Sequence, residues 1–306
     1  MTSDADQRRP AVPARRDRVP LGIAFMLGAT LMFAASSAIS KWQVASFSFA
    51  EVLFFRALAS LATCAVLILP RNGLNVFRTQ RLGAHVSRNL TQGVAQSLII
   101  LALSLMPLAG AMAINFSTPL FATLFAALWL HEKVGRARGF ALVIGFIGVL
   151  VVASPGADSF RLGALFAIGN AVLYGSVTTA VRGLTATESA ETLTIYQMVL
   201  LVIFFALAMP LFGFVWPDRS DLTAMLINGV FNGIGQYWWT RALSLAPPSA
   251  VGPFYYFSLV WAMLLGFFFW GDIPTITLLA GSAIVVGSGL YLLWHEAGKP
   301  KPAAAD

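Results

Sequence analysis

The 306 residues are 58% hydrophobic and only 11% charged, whereas a soluble domain carries about 25% charged residues. The bilayer is therefore the main solvent of this chain. Its net charge of +7 resides in the tails and a few short loops rather than along one face, which reports membrane orientation and excludes a nucleic-acid partner. The single cysteine, Cys64, lies in an apolar run, so there is no intrachain disulfide and no thiolate pair for a metal.

Apolar runs of about 20 residues, enough to cross about 30 Å of hydrocarbon, recur from Leu21 almost to the C-terminus. They predict ten spans, near 20–41, 49–69, 83–104, 107–130, 138–154, 161–182, 192–213, 220–243, 247–270 and 274–294. Breakers separate them at Pro70 to Gly73, Met106-Pro107, Ser154-Pro155-Gly156, Pro210, Trp216-Pro217-Asp218, Ala246-Pro247-Pro248 and Gly271 to Pro274. The arginine-rich start, with Ala34-Ala35-Ser36 after an apolar run, has the outline of a secretory signal. That run is long enough to span and has a counterpart later in the chain, so it is read as the first span.

With both termini in the cytoplasm, fifteen Lys and Arg fall on the cytoplasmic side, and three, Lys41, Arg161 and Arg219, on the other. The positive-inside rule thus places both termini inside and requires an even number of spans. The expected address is the cell inner membrane, as a multi-pass protein.

Comparison of the chain with itself shows an internal repeat. Leu103-Ser104-Leu105-Met106-Pro107 matches Leu243-Ser244-Leu245-Ala246-Pro247 at an offset of 140, and Gly22, Gly28 and Lys41 fall on Gly163, Gly169 and Arg182 at 141. After a two-residue insertion, Gly139 and Gly145 fall on Gly281 and Gly287. The organisation is a basic tail at 1–19, a first repeat at 20–154, a second at 161–294 and a short tail at 295–306. Because five spans are an odd number, the second repeat enters from the opposite side, as in many secondary transporters. The loop His131-Glu132-Lys133 through Arg138 is basic, while its counterpart Gly271-Asp272-Ile273-Pro274 has no positive charge.

Several local sequences carry a resemblance: Phe54-Phe55-Arg56, Leu105-Met106-Pro107-Leu108-Ala109, Thr118-Pro119-Leu120, and Glu132-Lys133 followed by Gly139, Gly145 and Gly148. In this order and spacing the chain resembles the drug/metabolite transporter superfamily, with two EamA-type repeats. The resemblance covers all ten spans and implies transport of a small molecule, with amino acids, nucleotide-like metabolites, vitamins and drugs among the cargo of relatives.

Polar side chains are costly in hydrocarbon and mark an aqueous or ligand-lined interior. Span 3 carries Arg88, Gln92 and Gln96 at i, i+4, i+8, and span 8 repeats the spacing with Asn228, Asn232 and Gln236. Span 6 adds Asn170 and Tyr174, span 4 adds Asn115, and the aromatic candidates are Trp239 and Tyr255. The competing role for the amides is to hold helices together. Arg56, about two turns into span 2, needs a carboxylate, carbonyls or an anionic ligand group; Glu51 is a poorly spaced partner. Arg88 has the alternative of reaching the cytoplasmic surface near His85. Pro119 and Pro253 lie within spans 4 and 9, where each frees a backbone carbonyl four residues earlier for a kink or a polar contact near the midplane.

The sequence predicts an all-α membrane protein of ten transmembrane helices in two inverted five-helix repeats. The candidate substrate-binding residues are Arg56, Arg88, Gln92, Gln96, Asn115, Asn170, Tyr174, Asn228, Asn232, Gln236, Trp239 and Tyr255. No cofactor, metal site or catalytic residue is expected: the three histidines lie at span ends, and no paired carboxylates or HExxH motif occur. The partners are a small-molecule substrate and the lipid bilayer. The expected function is secondary transport of a planar polar metabolite, riboflavin uptake first and S-adenosylmethionine next. Amino-acid or drug export is the alternative, and a membrane-embedded enzyme or sensor is the alternative from a different class.

Overall fold

The computed structural model describes residues 18–129, 136–153, 158–184, 187–246 and 251–297. The tails, the His131-Glu132-Lys133 loop, Ser154-Pro155-Gly156 and Pro247-Pro248 lie outside the described residues, as does the side chain of Arg182. The helices are α1 (Val19–Gln43), α2 (Phe49–Asn72), α3 (Leu82–Leu105), α4 (Leu108–Asn115), α5 (Thr118–Trp129), α6 (Arg136–Ala153), α7 (Asp158–Leu184), α8 (Ala190–Phe212), α9 (Arg219–Leu245), α10 (Phe257–Trp270) and α11 (Ile276–Ala297). Short 3-10 turns occupy Gly73–Phe77 and Gly252–Tyr256. The fourth span is α4 plus α5 and the ninth is the second 3-10 turn plus α10, so the architecture is all-α with ten spans.

Capping repeats with the sequence. Ser48 accepts from the Glu51 amide at the start of α2, and Ser189, 141 residues later, accepts from the Thr192 amide at the start of α8. Each satisfies one of the orphan donors of a first turn. Pro70 and Pro210, expected to end helices, lie inside the last turns of α2 and α8, which run two residues past them. So close to a helix end, a proline removes little of the remaining hydrogen-bond ladder.

Four stretches, Val19–Gln43, Phe49–Phe77, Arg161–Val181 and Ala190–Phe212, are long and apolar enough to cross a bilayer. The helices α3 and α9 have the length but carry the polar ridges. Large exposed side chains such as Val66, Leu207, Leu211 and Phe268 form an apolar exterior suited to lipid tails. Leu53, Ile100, Leu103, Leu108, Leu201 and Phe205 are buried in one core shared by both halves.

Packing joins the halves rather than separating them. The helix α1 packs on α9 and α3 on α7; α6 packs on α11, and α2 on both α8 and α9. Exchanging each span for the one five places away converts the α1–α9 contact into α3–α7 and maps the α2–α8, α6–α11 and α4–α10 contacts onto themselves. That is the pattern of a two-fold axis in the membrane plane, and it defines two inverted repeats. Apart from the α2–α8 and α4–α10 contacts, which cross the axis, the same contacts sort the helices into one unit of α1, α2, α9 and α10 and another of α3, α4–α5, α7 and α8, with α6 and α11 paired alongside. Each unit draws helices from both halves of the sequence.

Small residues set the tightest contacts, as they do where lipid supplies no hydrophobic drive between helices. A Cβ on Gly229 of α9 would stand 2.6 Å from the Arg56 carbonyl oxygen of α2, and one on Gly281 of α11 would stand 2.8 Å from the Val152 nitrogen of α6.

Candidate functional site

The fourth span breaks where the sequence places Thr118-Pro119. Pro119 has no N–H to give the Asn115 carbonyl, and the Thr118 hydroxyl donates to that oxygen instead at 2.7 Å. The chain tightens through Ser117, whose amide and hydroxyl both donate to the Ile114 carbonyl. The break leaves the Asn115 side chain facing α7, where its oxygen accepts from Asn170 Nδ2 at 2.7 Å. At the repeat-related place in span 9 lies the 3-10 turn that carries Tyr255 and Tyr256. Their rings stand 5.8 and 5.0 Å from Phe116, so the two interrupted spans meet at the two-fold axis.

Arg56 is buried in α2, and one of its terminal nitrogens donates to Gln96 Oε1 of α3 at 2.8 Å. This bond crosses from one four-helix unit to the other. Glu51 is not its partner: Glu51 Oε2 accepts from the Val215 amide in the α8–α9 linker at 3.3 Å. No carboxylate pairs with Arg56 among the described residues, so Arg56 is held by a neutral amide. Tyr174 of α7 stands within electrostatic reach of both Arg56 and Arg88, and Tyr255 within reach of Tyr174.

Gln92 lies one turn before Gln96 on the same face of α3. It is 1% exposed and its side chain makes no hydrogen bond among the described residues. The hydroxyls of Tyr174 and Tyr255 are likewise unbonded among them, although both rings keep some accessible surface in mid-chain. The Arg56–Gln96 bond at the centre is thus accompanied by a second glutamine on the same face of α3 and by two phenol groups on α7 and the span 9 turn.

On the other ridge, Asn228 and Asn232 are spent on packing. Asn228 is fully buried; it accepts from the Ser36 hydroxyl at 2.5 Å and donates to Ser40 Oγ at 2.9 Å and Gln43 Oε1 at 3.1 Å, locking α9 to α1. Asn232 donates to Ser60 Oγ at 3.0 Å, and Ser60 donates to the Gly229 carbonyl at 2.9 Å, locking α9 to α2. The Gln236 side chain makes no hydrogen bond among the described residues, and Trp239 packs against the buried cluster of Met26, Ala242, Ala246 and Val251. Arg88 does not reach the surface: it is 4% exposed and donates to the Leu193 carbonyl of α8 at 3.2 Å and to Asn89 Oδ1 at 3.4 Å.

Sequence reasoning passed over Phe116 and the hydroxyl ladder of α1, and read Thr118 only as part of the Thr118-Pro119-Leu120 resemblance. The spacing of Ser36, Ser40 and Gln43 at i, i+4, i+7 was a readable sign of a polar seam. An apolar groove of about 440 Å³ between α3 and α8, lined by Leu90, Ile203, Phe204 and Leu207 among others, includes none of the candidate residues. Groups of three or more metal-ligating side chains do not occur among the described residues.

Ten spans in two inverted repeats around a buried polar centre define a membrane carrier. The EamA-like transporter family matches residues 20–154 and again 161–294, and the chain belongs to that family. A riboflavin transporter of Vibrio cholerae is 32% identical over 92% of this chain and 95% of its own. An S-adenosylmethionine uptake transporter of Rickettsia conorii is 24% identical over 90% and 93%, and a pseudopaline exporter of Pseudomonas aeruginosa is 26% identical over 88% and 95%. A solved crystal structure 20% identical covers 94% of this chain and the whole of its own with a TM-score of 0.65, which shows the fold.

Proposed function

We propose that this protein carries riboflavin into the cell across the inner membrane, with both termini in the cytoplasm. The observation that carries the reading is the centre between the two units, where Arg56 and Gln96 bridge while Gln92, Tyr174 and Tyr255 keep unused polar groups. A flavin ring offers a matching set of groups: an imide edge with carbonyl oxygens and an N–H for a glutamine amide and a guanidinium, and a flat face for phenol rings. The riboflavin transporter relatives support the same cargo. A sulfonium cargo such as S-adenosylmethionine would bring its positive charge to Arg56, and no carboxylate pairs with Arg56 among the described residues to offset it.

The two mixed units are the bodies that rock against each other, and the cargo competes for the Arg56–Gln96 bond that joins them. The charge bias supports a cytoplasmic basic face. Uptake of radiolabelled riboflavin into an auxotrophic bacterium expressing this chain tests the reading, with Arg56→Ala and Gln92→Ala at matched membrane abundance. Uptake that falls in both variants supports cargo and site together. A wild type that is inserted and folded, yet takes up none, removes riboflavin import.

A further inference from the structure

Lys41 stands in the last turn of α1, on the face opposite the basic one, and takes no part in the cargo centre. Its Nζ donates to the Met106 carbonyl at 2.7 Å and to the Leu103 carbonyl at 3.1 Å, and lies 5.5 Å over the Trp270 ring. Leu103 is one of the last residues of α3 and Met106 is its C-cap, followed by Pro107. Carbonyls at a helix end lack intrahelical donors and carry the negative end of the helix dipole, so a cation is well placed there. Here the cation is supplied by a helix of the other four-helix unit.

We propose that Lys41 is a latch on that face, holding the α1 unit to the end of α3 so that access from that side requires the ammonium to leave. This rests on the reading of the protein as a carrier whose two units rock. The described helix-to-helix bonds at the basic face stay inside a unit: Arg71 to Tyr237 joins α2 to α9, and Arg88 to Leu193 joins α3 to α8, while Tyr196 of α8 donates to Phe77 in the linker between α2 and α3. Lys41 therefore ties the units together at one face only. Its acceptors are neutral carbonyls rather than a carboxylate, and a released ammonium ion on this face is rehydrated by water, which makes the tie reversible.

The test measures the distance between spin labels at the ends of α1 and α3, introduced as Trp42→Cys and Ser104→Cys in a Cys64→Ser background; both labelled positions are exposed. In the full-length protein in lipid nanodiscs, Lys41→Met is expected to raise the ratio of separated to closed ends on the order of tenfold, since charge-assisted bonds to one state are lost. Lys41→Arg is expected to restore the closed distance, and Lys41→Gln to fall between. An unchanged distance distribution in Lys41→Met, or in Lys41→Gln if the first variant does not fold, overturns the latch. The distances need no cargo. A shift seen in a protein that fails to take up riboflavin supports the latch and removes only the cargo, whereas riboflavin uptake with unchanged distances removes only the latch.

Discussion

The ridges of α3 and α9 have the same spacing, 140 residues apart, but different fates. On α9, Asn228 and Asn232 are consumed by hydroxyls and an amide of α1 and α2. On α3, Gln96 is turned to a cation and Gln92 has no protein partner among the described residues. Two copies of one pattern have been divided: one fastens helices, and the other, in the carrier proposed above, is the one that meets the cargo. An amide's role in a membrane is therefore decided by its neighbours across the interface, not by its spacing along its own helix.

Removing the bridge should break this contrast most severely. Arg56→Ala is expected to lower riboflavin uptake per folded molecule by at least about tenfold, since a charge-assisted bond at the centre is worth more than about 1.4 kcal/mol. Uptake kinetics at matched abundance check it. Asn228→Ala should act on the other axis: it leaves Ser36, Ser40 and Gln43 without their partner and is expected to cost about 1–3 kcal/mol of stability. Its melting temperature in detergent should fall, while uptake per folded molecule stays near wild type. If instead Asn228→Ala abolishes uptake without loss of stability, the division between the ridges fails.

Gln92→Ala is expected to raise KM several-fold, with little change in melting temperature because no described bond is lost; equal effects on both would make Gln92 a packing residue. The smallest effect is expected outside the membrane. Asp218 caps α9, accepting from the Asp221 amide and the Ser220 hydroxyl at 2.8 Å each, and the bond from the Asp221 amide is the main cause that holds its carboxyl below the ordinary carboxylate range. Its stabilisation is therefore present above the ordinary value of the unfolded chain and is lost as pH falls through the lowered one. Asp218→Ala should lower the melting temperature slightly at neutral pH, and the difference should vanish in strong acid.

The ten spans were legible because length and apolarity determine a membrane helix almost alone. The repeat was legible because Leu-Ser-Leu-x-Pro and the glycines recur in register. Partner choice was not: Glu51 lies five residues from Arg56 yet bonds a linker amide from the other half of the chain. Arg88 found a carbonyl of α8 within reach and had no need to extend to the surface. Pro70 and Pro210 read as terminators because a single sequence cannot show that the helix has only one turn left to lose.

The mixing of both halves in each four-helix unit has a consequence for biosynthesis. The main neighbour of α1 is α9, so the seam of Ser36, Ser40 and Gln43 must wait for Asn228 to leave the ribosome. At about 5–20 residues per second, that interval is on the order of ten seconds, during which α1 sits in the bilayer with polar groups unmet. Neither half is then a finished body when its own synthesis ends. The two halves made as separate polypeptides should each be short-lived alone and persist only when they are made together.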